Sequence, residues 1–178
     1  MVESATHEND IEQISFERLN IQELATHDVE AIAKLERELF GVGAWSRDTV
    51  AQELQAAGRT YFVAREITSS RIIGYAGIWF DGFDAQVMTI GVDLSFQRRH
   101  IATHLMDLLK SESIRLSAER ILLEVATDND PALAIYKAAG FEIFGLRKRY
   151  YQPEDKDAYT MVCELRKESN NPIGFSIP

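Results

Sequence analysis

Residues 89–103 read TIGVDLSFQRRHIAT and carry the strongest architectural signal in the chain. The residues up to Val92 are typical of a strand, and Ile101 begins an apolar spacing of three and four residues that predicts a long helix. Arg98 and Arg99 lie in the loop between them. The first amides of a helix lack intrahelical partners and its dipole is positive there, so this loop suits a phosphate group. A solvated basic helix start would show the same spacing.

Gly91 lies inside the predicted strand. Glycine in a strand marks a bulge or a close approach of another backbone, although it also occurs in ordinary strands. A bulge at Gly91 would part this strand from a neighbour and leave its amides and carbonyls free. An extended ligand could then pair with them as an added strand does.

A second informative stretch, residues 122–141, reads LLEVATDNDPALAIYKAAGF. Glu124 interrupts an apolar strand, and Tyr136 lies on a short helix for which we predict Asp130 as the N-cap. A carboxylate in such a place can serve as a general base, and a phenol can donate a proton. Each residue type also has a common structural role: a solvent-facing Glu on an alternating strand, and a core Tyr.

Outward from these stretches, the apolar spacing predicts the order β-α-α-β-β-β-α-β-α-β-β. Thr26 or Asp28 can cap the first helix, Ser46 can cap the second, and Asp81-Gly82 predicts a hairpin turn. Strand–helix–strand units imply some parallel pairing, whereas hairpins imply antiparallel pairing. The fold class is therefore α/β of the mixed α+β kind, with helices on both faces of a mixed sheet.

The 178 residues are 46% hydrophobic and 26% charged, which is typical of one soluble globular domain and excludes a disordered chain. We expect a flexible N-terminal extension at residues 1–11, a single domain at 12–166 and a tail at 167–178. The net charge of −9 disfavours nucleic-acid binding. A negative surface favours a basic substrate, and it is equally consistent with a charge that only keeps the protein soluble.

The first 15 residues carry four acids and no Lys or Arg, and no apolar run approaches the length of a membrane span. We therefore expect a cytoplasmic protein that binds no membrane. The single cysteine, Cys163, excludes an internal disulfide, and we expect it in the core. No residue pattern suggests a metal site.

Two blocks resemble the GCN5-related N-acetyltransferases. Gln97 to Ala102 resembles their Gln/Arg-x-x-Gly-x-Gly/Ala signature, and the block from Asn129 through Tyr136 to Phe141 resembles their second cofactor segment. Four short segments resemble the bacterial ribosomal-protein alanine N-acetyltransferases within this superfamily. They are Ala44-Trp45-Ser46, Leu123-Glu124-Val125, Arg149-Tyr150-Tyr151 and Asp157-Ala158-Tyr159-Thr160-Met161. The resemblance implies a mostly antiparallel sheet of about seven strands with four helices.

The resemblance also implies acetyl-CoA as the co-substrate, no metal, and a set of site residues. The implied cofactor-binding residues are Ile90, Gly91, Val92, Arg98, Arg99, His100, Ile101, Ala102, Thr103 and Asn129. Among these, the Val92 N–H would polarise the thioester carbonyl and Asn129 would bind the pantetheine arm. Glu124 would act as general base through water, and Tyr136 as general acid towards the CoA thiolate.

One position departs from the signature, because His100 stands where the family has glycine. Its side chain either forces a strained loop or donates to a phosphate oxygen when protonated. We read His104, one helical turn further, as a plain surface residue.

The resemblance implies a monomeric enzyme that acetylates the N-terminal amine of a protein. The substrate that it implies is a basic ribosomal protein. An acetyltransferase for a small amine, such as a polyamine or an antibiotic, is the alternative. A non-catalytic CoA-binding member is a third hypothesis, for which His100 is the sole support.

Overall fold

The computed structural model describes residues 13–20 and 25–165, which contain seven strands and four α-helices. The strands are β1 (Ile14–Arg18), β2 (Arg59–Glu66), β3 (Ile72–Phe80), β4 (Ala85–Val92), β5 (Arg120–Ala126), β6 (Glu142–Tyr151) and β7 (Lys156–Glu164). The helices are α1 (Thr26–Phe40), α2 (Arg47–Gln55), α3 (Ile101–Arg115) and α4 (Asp130–Ala138). The order of elements is the predicted one. The extension and tail predicted at residues 1–11 and 167–178 lie outside the described residues.

The strands form one sheet in the order β1-β2-β3-β4-β5-β7-β6. Every neighbouring pair is antiparallel except β4 and β5, which are parallel and joined by α3. A parallel pair needs such a crossover, whereas the hairpins close through short turns. The predicted mixed, mostly antiparallel sheet is confirmed.

Helices cover both faces of the sheet, as predicted. On one face α3 and α4 bury side chains such as Leu105, Leu109 and Tyr136 against the strands. On the other face α1 and α2 bury Ile32 and Leu54. The amphipathic spacing read from the sequence corresponds to these two contacts, since each helix hides one apolar stripe.

Helix starts follow the predictions in part. Ser46 caps α2 by accepting a hydrogen bond from the Thr49 N–H at 3.1 Å, as predicted. The prediction for α1 is wrong: Ala25 is its N-cap, and the buried Asp28 accepts instead from Arg65 at 3.0 Å. The charge-assisted hydrogen bond from Arg65 stabilises the buried carboxylate more than a solvent-exposed helix cap would.

The start of α4 lies one residue earlier than predicted. The Asn129 Oδ1 accepts from the Ala132 N–H at 3.2 Å, so Asn129 and not Asp130 is the N-cap. Both residue types cap helices well, and the sequence alone does not choose between neighbours. Cys163 is buried, as predicted.

Candidate active site

The sheet opens between β4 and β5. Among the described residues these strands pair only where Ala85 faces Ile121 and Gln86 faces Leu122. Beyond this point they diverge, and the edge of β4 that faces β5 continues to Val92 without a strand beside it. An open edge of this kind can pair with an extended ligand.

The bulge in β4 lies at Met88 and not at Gly91. Thr89 faces Gly77 and Val87 faces Ile78, so Met88 is the extra residue, whereas Gly91 pairs with Tyr75 in regular register. Of the alternatives left open for Gly91, the bulge is therefore wrong, and Gly91 lies in a regular strand where packing leaves no room for a side chain. A Cβ at Gly91 would lie 2.7 Å from the Leu39 Cδ1 and 2.9 Å from the Tyr75 Cε1.

The backbone of Val92 is directed towards the opening. The Asp93 N–H donates to the Ile73 carbonyl on β3 at 2.8 Å. Successive residues of a strand direct their polar groups to opposite sides, so those of Val92 and Ile90 point away from β3. The Val92 carbonyl accepts from the side chain of Gln97 at 3.2 Å, in agreement with this direction.

The N-terminus of α3 follows the open end of β4. His100 is the N-cap and adopts the left-handed conformation (φ 58°, ψ 13°), as does Arg98 (φ 64°). Such angles suit glycine and are strained for other residues, so the conflict predicted at His100 is present in the backbone. The first turn of α3, which is fully described, contains no Asp or Glu. Its first amides, with Arg98 and Arg99 beside them, suit a phosphate group.

Aromatic contacts organise the neighbourhood of this loop. The guanidinium groups of Arg99 and Arg71 lie 5.0 Å and 5.2 Å from the centre of the Phe96 ring. Cation–π attraction therefore gathers positive charge beside the helix start. One turn along α3, the exposed His104 stacks on Phe16 with ring centres 4.0 Å apart, so it is more than the plain surface residue we predicted.

Glu124 lies on β5 beside the opening, and its side chain is only 12% exposed. The Gln86 Nε2 donates to one carboxylate oxygen at 3.1 Å, and the Arg147 Nη1 donates to the other at 3.0 Å. The Tyr151 hydroxyl donates to the Glu124 backbone carbonyl at 3.2 Å. The carboxylate is therefore held beside the opening between β4 and β5 by partners from β4 and β6.

Tyr136 is buried on α4, with its ring 6.0 Å from that of Phe141. Burial raises the pKa of its hydroxyl, and nearby Tyr151 raises it further, so the phenol stays protonated at neutral pH. Asn129 commits its side-chain oxygen to the α4 cap, which leaves its amide nitrogen as the donor for a ligand.

Sequence reasoning missed Glu36, a carboxylate that is 3% exposed on α1. It accepts from the Tyr75 hydroxyl at 2.6 Å, from the Thr89 hydroxyl at 3.2 Å and from the Trp45 N–H at 3.3 Å. These bonds tie the loop after α1 to the open stretch of β4. The signal was available, because Glu36 stands four residues after Ile32 on the apolar stripe.

Sequence reasoning also missed Gln86 and Arg147, which lie 38 and 23 residues from Glu124 in the chain. Neither stands in a motif. Among the described residues, no group of three or more His, Cys, Asp or Glu side chains is placed to hold a metal ion, and no helix is long and apolar enough to cross a membrane.

Known proteins resemble this chain in sequence. The model of the Acetyltransferase (GNAT) family matches residues 29–141. The N-alpha-acetyltransferase RimI of Mycobacterium tuberculosis is 38% identical over 161 residues, which cover 88% of this chain and 96% of that protein. The ribosomal protein bS18 alanine N-acetyltransferase of Escherichia coli K12 is 27% identical over 147 residues, or 82% of this chain and 97% of that protein.

Solved structures share the fold. The ribosomal-protein-S18-alanine N-acetyltransferase from Escherichia coli matches with a TM-score of 0.75 at 23% identity, over 89% of this chain and 97% of that one. The NatC complex bound to Gag peptide and CoA matches with a TM-score of 0.74 at 20% identity, over 86% of this chain and 99% of that one. With a family model that spans more than half of its length and a relative at 38% identity, the chain belongs to the Acetyltransferase (GNAT) family.

Proposed function

We propose that the chain is an acetyl-CoA-dependent N-alpha-acetyltransferase, which acetylates the N-terminal amine of a protein. The observation that carries the proposal is the opening between β4 and β5, with a free backbone edge on one side and the Glu124 carboxylate on the other. An extended peptide end and a thioester can meet there. The names of the relatives from Mycobacterium tuberculosis and Escherichia coli support the same activity.

The open edge of β4 and the N-terminus of α3 fit acetyl-CoA, the acyl donor of the family, which supplies an acetyl group as a thioester. The N-terminus of α3 offers amides and nearby cations to the pyrophosphate, and β4 offers backbone groups to the pantetheine arm. The residues that we propose for this site are Ile90, Gly91, Val92, Arg98, Arg99, His100, Ile101, Ala102, Thr103 and Asn129. The Val92 N–H would donate to the thioester carbonyl, since it points into the opening.

Two side chains would move the protons. Glu124 would take a proton from the acceptor ammonium, through water, and so expose the lone pair that attacks. A free α-amine has a pKa near 8, so a modest base is sufficient. Tyr136 would donate its proton to the departing sulfur, and its raised pKa keeps that proton available. Direct transfer requires no covalent intermediate on the protein, and the buried Cys163 has no part in it.

The acceptor that we propose is the N-terminus of a ribosomal protein. The names of the relatives from Escherichia coli support it, since they specify a ribosomal protein alanine. Such a substrate implies action in the cytoplasm, and we propose a monomer that binds neither membrane nor nucleic acid; the net charge of −9 agrees with the last point.

Acetyl transfer from acetyl-CoA to a panel of short peptides tests the proposal. The panel contains peptides with free N-termini, including the first residues of the ribosomal proteins, and N-terminally blocked peptides that carry lysine. We expect acetylation of the free N-termini and none of the blocked controls. Turnover of a polyamine such as spermidine, without turnover of any peptide, would instead establish a small-amine acetyltransferase.

A further inference from the structure

Arg147 pairs with Glu124 beside the opening between β4 and β5. Its Nη1 lies 3.0 Å from the Glu124 Oε1, and its guanidinium lies 4.4 Å from the centre of the Tyr150 ring. The Arg147 side chain is 55% exposed, whereas that of Glu124 is 12% exposed. The arginine therefore lies on the solvent side of the ion pair and the carboxylate on the inner side.

An acceptor peptide brings its own cation to the same carboxylate. If Glu124 receives the N-terminal ammonium, Arg147 must share or give up its counterion, and two positive charges then lie close together. Repulsion between them raises the free energy of the bound state. A carboxylate on the peptide would remove this penalty, because it gives Arg147 a new partner.

The position of Arg147 sets which peptide residue can supply that carboxylate. An extended chain advances about 3.3–3.6 Å per residue, so a cation in contact with the general base lies within roughly two residues of the acceptor nitrogen. The net charge is −9, yet Arg147 is followed on β6 by Lys148 and Arg149, all three exposed.

We propose that Arg147 is a specificity-determining residue that favours acceptor peptides with Asp or Glu at their second or third position. The inference rests on the proposed function and adds the chemistry of the acceptor to it. Arg147 binds the acidic side chain, and the Glu124 carboxylate, released from the ion pair, faces the ammonium through water. A peptide with Arg or Lys at these positions places a third cation beside them and reacts more slowly.

Initial-rate measurements with matched peptides test this inference. The peptides differ only at the second or third residue, which is Asp, Asn or Arg, and kcat/KM is measured for the wild type, Arg147→Gln and Lys148→Gln. Lys148 is the matched control, since it carries the same charge on the same strand and makes no ion pair with Glu124 in the described structure. We expect the wild type to prefer Asp over Arg by about twofold to fivefold, the upper part of the range for a partly exposed ion pair.

Arg147→Gln should abolish the preference by slowing the Asp peptide and accelerating the Arg peptide, whereas Lys148→Gln should keep the order of the three peptides. Opposite changes for two substrates distinguish recognition from general damage, which lowers both rates. The wild-type preference should also shrink in 0.5 M salt, since screening weakens a partly exposed pair. This second measurement stands even if the variant folds poorly.

Three results would overturn the inference: a wild type that does not favour Asp, a preference that survives Arg147→Gln, or a preference that salt leaves unchanged. In each of these cases the peptides are still acetylated, so the proposed function holds. A wild type that acetylates none of the peptides refutes the proposed function itself, and the inference with it.

Discussion

Gly91→Ala tests the conclusion that packing, and not a bulge, requires glycine in the open strand. The new methyl group would lie 2.7 Å from the Leu39 Cδ1 and 2.9 Å from the Tyr75 Cε1. Carbon atoms prefer separations of about 3.5–4.0 Å, so a neighbour must move by roughly 0.8 Å. Leu39 is partly buried and can yield, whereas Tyr75 is fully buried and donates to Glu36 at 2.6 Å, so the contact with Tyr75 remains as strain.

The expected magnitude follows from two opposing effects. Overpacking a core destabilises the folded state by about 1–3 kcal/mol. Replacing glycine by alanine stabilises it by about 0.4–1 kcal/mol, because alanine has less conformational entropy in the unfolded chain. Two contacts below 3.0 Å place this site in the upper part of the overpacking range, so we expect the free energy of unfolding to fall by about 1–2 kcal/mol. For a domain of this size each kcal/mol lowers Tm by about 2–4 °C, so Tm should fall by about 2–8 °C.

Thermal and urea unfolding followed by circular dichroism measure this change. Gly145→Ala is the matched control, because nothing lies within 4 Å of its Cβ position, and it should be neutral or slightly stabilising. Leu39→Ala makes room for the methyl group, so the double variant should lose less stability than the sum of the two single variants. A Gly91→Ala protein as stable as the wild type, or strict additivity with Leu39→Ala, would refute the packing argument.

Three further predictions concern the chemistry. Glu124→Gln should lower kcat/KM most near neutral pH and less as the pH rises past the α-amine pKa of about 8, since free amine then forms without a base; full activity with an unchanged pH profile would contradict this role. Tyr136→Phe should lower kcat by about 10²–10⁴-fold with little change in acetyl-CoA affinity, because the variant cannot donate a proton; a rise in KM alone would make Tyr136 a binding residue. His100→Gly should tighten acetyl-CoA binding by about 1 kcal/mol, because glycine removes a side chain from the loop and lets its backbone amides approach the phosphate; calorimetry that shows weaker binding would instead make the imidazole a phosphate ligand.

The sequence alone determined the features that short-range patterns encode. Apolar periodicity predicted the order of the seven strands and four α-helices in the described part of the chain, because each amphipathic stripe must be buried. The strand–loop–helix stretch and the block from Asn129 to Phe141 indicated the family, and the Ser46 cap and the Asp81 turn are local contacts that the structure confirms. The roles of Glu124 and Tyr136 were also predicted from these motifs, and they stay predictions.

The tertiary structure decided which distant residues meet. The opening between β4 and β5, the position of the bulge at Met88, and the contacts of Gln86 and Arg147 with Glu124 depend on strand register across the sheet. The three donors of the buried Glu36 likewise come from separate segments, which its position on the apolar stripe of α1 does not reveal. Register and such contacts arise from many weak interactions between residues far apart in the chain, and no local spacing of residues encodes their sum.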